Sequence, residues 1–78
     1  MIKRHSDFLL EVTGQDVRTI ETDLNAAVDI ALTFAMKQRR HGVLVTQNHY
    51  TSYTVAVTGE VPYGETRERR EWSMQTAG

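Results

Sequence analysis

Three histidines are the first places to look for chemistry in this chain of 78 residues: His5, His41 and His49. An imidazole acts as a general base or metal ligand near neutral pH when a partner stands at the right spacing. His5 and Asp7 are two residues apart, so on an extended strand both would point to one side. A metal pair, or a base with its orienting carboxylate, would use that arrangement, but the spacing is common by chance. His41 falls where a helix is expected to end, and a cation there simply offsets the helix dipole. His49 belongs to the run Asn48-His49-Tyr50-Thr51-Ser52-Tyr53, expected at the tip of a hairpin. There Asn48, His49, Tyr50 and Tyr53 read as a binding loop, because tyrosine gives large contact area at low entropic cost. Against this, Tyr53 also suits the start of the next strand, and Tyr50 could fold onto the sheet edge.

Stronger catalytic patterns are missing from the sequence. It has no cysteine, which closes off thiol nucleophiles, disulfides and thiolate zinc sites. It has no Gly-rich phosphate loop and no His-Glu-x-x-His, and Ser6, Ser52 and Ser73 lack a nucleophile context. The expectation is a non-enzymatic protein with no catalytic residues, no metal site and no cofactor.

The element that must position any site is a long amphipathic helix from Thr22 to Gly42. Leu24, Ala27, Val28, Ala31, Leu32, Ala35 and Met36 recur at three-and-four spacing along one face. Thr22 or Asp23 caps its start, Lys37, Arg39, Arg40 and His41 crowd its end, and Gly42 supplies a left-handed stop. Ile30 and Phe34 widen the apolar face on one flank, beyond what one small sheet needs. Either Tyr63, Trp72 or Met74 covers that flank from the C-terminal segment, or it is an exposed patch of the kind that marks an interface. Ile30, Phe34 and Trp72 are therefore the candidate interface residues.

Phe8, Leu10 and Val12 alternate with Leu9, Glu11 and Thr13 as in a half-buried strand. Val17 to Ile20 is extended in character, and either pairs back on that strand or leads into the helix. Val43 to Thr46 and Tyr53 to Thr58 read as a hairpin joined by residues 47 to 52, with Val43, Val45, Tyr53, Val55 and Val57 toward the helix. Leu44, Thr46, Thr54, Ala56 and Thr58 fall on the other, wet face. Pro62-Tyr63-Gly64 fits a turn with glycine at the position needing positive φ. The expected fold is α+β: a β-α-β-β core, or β-β-α-β-β if Val17 to Ile20 pairs, with the helix across one face of a small sheet. That core spans residues 5 to 64; residues 65 to 78 form a charged segment, a short helix or a frayed tail.

A domain this small sits near the lower limit for a self-sufficient core, and without disulfides or metal, oligomerisation is the remaining common staple. No apolar run approaches the roughly 20 residues that span a bilayer. Met1 to Asp7 also lacks the apolar core of a signal peptide, so a soluble cytoplasmic protein with no membrane partner is expected. Nine basic and ten acidic residues give a net charge of −1, which selects neither a nucleic-acid binder nor a DNA mimic. The basic residues cluster as Lys3-Arg4-His5, Lys37-Arg39-Arg40-His41 and Arg67-Arg69-Arg70, and would make a phosphate-binding stripe only if they converged.

Two phrases, Arg40-His41-Gly42-Val43-Leu44-Val45-Thr46 and Val61-Pro62-Tyr63-Gly64-Glu65-Thr66-Arg67-Glu68-Arg69, resemble small uncharacterised proteins of actinobacteria and their phages. The resemblance covers most of the chain from Glu21 onward and implies a phage or mobile-element connection, with no activity to carry over. The function expected from all of this is a small protein-binding module acting as a homodimer or on another protein. The alternative is a nucleic-acid-binding accessory protein using the three basic groups.

Overall fold

The computed structural model describes residues 1–6 and 8–71. Two strands come first, β1 (Ile2–Ser6) and β2 (Leu9–Thr13), then the helix α1 (Val17–Gln38). Three strands follow: β3 (His41–His49), β4 (Ser52–Pro62) and β5 (Thr66–Arg70). One five-stranded sheet takes them in the order β1-β2-β4-β3-β5, antiparallel except for the β3–β5 pair. The fold is α+β, one long helix on a mixed sheet. The sheet reaches past residues 5 to 64 at both ends, because β1 begins at Ile2 and β5 pairs with β3.

The helix starts earlier than its apolar stripe implies. Asp16, in extended backbone (φ −140, ψ 162), caps it by accepting the Thr19 N–H at 2.8 Å. Val17 to Ile20 is thus the first helical turn and not a strand. The cap satisfies one of the free N–H groups of that turn, and Ile20, 4 % exposed, joins the face of Ala27 and Ala31. The stop also differs from expectation. Arg39 takes the left-handed conformation (φ 55) and donates its N–H to the Ala35 carbonyl at 2.8 Å. Gly42 lies inside β3.

Thr19 holds the Asp16 carboxyl below its usual range, chiefly through the backbone hydrogen bond and then through the hydroxyl. A carboxylate with a lowered folded-state pKa stabilises fully above its unfolded value, near pH 4, and loses that contribution as pH falls through the folded value. Asp16→Ala should therefore melt lower than the parent at pH 7. Asp16→Asn keeps a good cap and should lose less stability than the parent between pH 7 and pH 3, both read by circular-dichroism melting.

The underside of α1 is alanine. Ala27 and Ala31 are fully buried and Ala35 is 4 % exposed, over Leu10, Val12, Val43, Val45, Val55 and Val57. Small side chains along this line let the helix lie close to the sheet. The alternation of β3 and β4 is as the sequence predicts. Val43 pairs Val57 and Val45 pairs Val55 beneath the helix, while Leu44 pairs Ala56 and Thr46 pairs Thr54 on the open face.

β5 is the element that periodicity misses. Thr66-Arg67-Glu68-Arg69-Arg70 is exposed throughout, yet it runs parallel to β3 from Val43↔Thr66 to Gln47↔Arg70. Only Tyr63, Gly64 and Glu65 connect it to β4, although β3 lies between the two. The connection must therefore arch over the start of β3. Gly64 at φ +89 makes the turn, closed by the Glu65 N–H donating to the Pro62 carbonyl at 3.1 Å. Val43 then donates its N–H to the Glu65 carbonyl at 3.0 Å. Below the arch sits Gly42, where a Cβ would lie 2.3 Å from the Pro62 oxygen and 2.4 Å from the Glu65 oxygen.

Candidate functional site

α1 packs on β2, β4 and β3 and touches β1, with β5 outside its main contacts. A helix about 10 Å across spans about two strand spacings, so a five-stranded sheet under one helix has a bare margin. Among the described residues two cavities lie along that margin, between α1 and β5, and together they mark out a groove. One end, a cavity of about 540 Å³, is lined by Glu21, Leu24, Val45, Gln47, Tyr53 and the β5 residues Glu68, Arg69 and Arg70. The other end, about 290 Å³, is almost wholly apolar: Leu32, Ala35 and Met36 from α1, Val43 from β3, and Tyr63 from the arch. Met36 is 63 % exposed and Tyr63 45 % exposed. Along this flank Leu24, Val28, Leu32 and Met36 recur every fourth residue as one continuous ridge. The described lining offers apolar contact from Leu32, Met36 and Tyr63 at one end and a charged rim of Glu21, Glu68 and Arg70 at the other.

The flank singled out from sequence lies on the opposite side of the helix. Ile30 and Phe34 are half-buried against the core, and Phe34 meets Phe8 with ring centroids 6.4 Å apart and planes tilted by 37°. Phe8 precedes β2, and at 52 % exposed it acts as a lid on Phe34 at the margin of the core. The same side of α1 is tied down at its N-terminal half, where Asp23 bonds the Met1 amino group. Trp72, named with Ile30 and Phe34, lies outside the described residues.

The hairpin tip is smaller than expected. Asn48 and His49 belong to β3 and Tyr53 to β4, so only Tyr50 and Thr51 turn the chain. The register slips between Gln47 and His49, and Asn48 donates from Nδ2 to the Thr54 hydroxyl at 2.7 Å on the open face. Tyr53 pairs Gln47 and turns to the helix side, where it lines the groove. Tyr50 is 68 % exposed and His49 is exposed at the strand end. The four residues are thus divided among two strands and a turn and make no single loop.

His5 bonds Glu11 across β1 and β2, Nε2 to Oε1 at 3.1 Å, and Asp7 lies outside the described residues. His41 stands at the exposed start of β3 beside Gly59. Among the described residues no group of three or more histidines and carboxylates is placed to hold a metal. Comparison with family models, curated proteins and solved structures finds no match. No described helix is long and apolar enough to cross a membrane.

The three basic groups do not share a surface stripe. β1, with Lys3, Arg4 and His5, and β5, with Arg67, Arg69 and Arg70, form opposite edges of the sheet, about 19 Å apart at ordinary strand spacing. On the open face Arg67 bonds Glu65 at 2.8 Å, and Arg69 bonds Glu60 at 3.2 Å and Glu71 at 2.9 Å. Their charge is offset locally. The register also sets their aliphatic stems beside Leu44 and Thr46, which are 8 % and 7 % exposed on a face that no helix covers.

Proposed function

We propose that this chain is a non-enzymatic protein-binding module whose contact surface is the groove between α1 and β5. The observation that carries this reading is the apolar end of that groove, where Leu32, Met36, Val43 and Tyr63 line a concave surface with Met36 and Tyr63 open to solvent. Concave apolar surface rimmed by charge is what a protein partner recognises. The alternative, nucleic-acid binding, draws less support, because Arg67 and Arg69 pair with glutamates and so offset the positive charge of β5.

The test is site-specific photocrosslinking in the cells that express the protein. A benzophenone side chain at Met36 should give a discrete protein adduct, and the same group at exposed Ala26, on the other side of the helix, should give a weaker one. Adducts to nucleic acid, or none from Met36, would remove this function.

A further inference from the structure

We infer that the occupant of this surface is a second copy of the chain, seated by antiparallel contact of the Leu24-Val28-Leu32-Met36 ridge with its own equivalent. The inference rests on the protein-binding reading and names its partner. The ridge is self-complementary under a twofold axis. Placing that axis level with residue 30 sets Leu24 against the partner's Met36, and Val28 against the partner's Leu32. The same register sets Glu21 against the partner's Arg39 at both ends of the contact. Both residues are exposed, and among the described residues neither belongs to an ion pair within its own chain. Apolar contact at the centre and opposite charges at both ends are what an isologous interface requires.

The other surfaces oppose self-association. A second copy added antiparallel at the β5 edge, centred on Glu68, would put Glu68 against Glu68 and Arg67 against Arg69. At the β1 edge, Lys3, Arg4 and His5 would meet their own kind. Like charges directly opposite one another destabilise a strand pair, and charged edges of this sort keep sheets from joining. On the far flank of the helix, Phe34 is half-buried with Phe8 against it. Among the described residues the ridge joins apolar side chains to unpaired opposite charges at its two ends.

Sedimentation equilibrium of the full chain, from about 1 μM to about 1 mM, should show a reversible shift from 8.9 kDa to twice that mass. Leu32→Glu should abolish the shift while keeping a cooperative melt. Glu21→Arg and Arg39→Glu should each weaken the dimer a few-fold, and the double swap should restore it; these surface changes keep the test open if Leu32→Glu fails to fold. A strict monomer, or a dimer indifferent to both sets of variants, would overturn the inference. A monomer that still gives a Met36 adduct with a different protein would leave the binding function standing and reject only the second copy as its occupant.

Discussion

Gly42→Ala is expected to cost about 3 kcal/mol and to lower the melting temperature by about 15 °C. The new Cβ would lie 2.3 Å and 2.4 Å from two carbonyl oxygens and 2.5 Å from Cγ1 of Val61, itself 1 % exposed. Two of those three neighbours are backbone atoms of the arch between β4 and β5, so no side-chain rotation relieves the clash. Either the arch lifts, breaking the bond from Val43 to Glu65 and loosening β5, or β3 shifts beneath the helix. Gly59→Ala is the control. A Cβ there meets only the His41 imidazole, at 3.3 Å, which is a side chain with freedom to swing. Thermal melts of the two variants should differ by about 10 °C or more. Equal melts would show that the arch is not braced on Gly42.

The second large effect is expected at the alanine line. Ala31→Leu adds three carbons at a fully buried position in the core cluster that includes Val12, Val43 and Val55. The helix must rise or tilt, at a cost of about 2–3 kcal/mol, or about 10 °C in a domain of this size. Ala26→Leu, on the exposed side of the same helix, should leave the melt nearly unchanged. Denaturant titration separates the cases. Ala31→Leu should move the midpoint with little change of slope if the native state stays compact. An unaltered midpoint would mean that the helix does not owe its closeness to these alanines.

How far the sequence reveals the structure follows from what holds each element. Elements that bury an apolar row were legible: the helix face from Leu24 to Met36, the rows Val43-Val45 and Val55-Val57, and Leu10-Val12. The turn at Pro62-Tyr63-Gly64 was legible because only glycine takes φ +89 without strain. The two edge strands were not. β1 offers the core Ile2 alone, and β5 offers it nothing, so both are held by backbone pairing that leaves no mark in the hydropathy pattern.

The helix start was misread because Val17, Thr19 and Ile20 favour strands, whereas the Asp16 cap and the continuation of the stripe through Ile20 decide for helix. Polar residues from Gln47 to His49 read as loop but extend β3, since the sheet end reaches past the core and needs no apolar side chain. The groove was invisible for the same reason as β5, which forms one of its walls. The sequence drew attention to the flank of Ile30 and Phe34, whereas the groove lies on the other flank of the same helix.

The arch over β3 also sets an order of events. Among the described residues β5 pairs with β3 alone, and its connection passes across the start of that strand, so it docks once β3 lies on β4. Of the five strands, the one made last is then also the last to dock, and until it arrives the β3 edge stands open with its row of valines. In a crowded cell that interval is when the nascent chain is most exposed to pairing with the wrong strand. The charged sequence of β5, of little use to the core, ends it by closing the edge with a strand that few others would join.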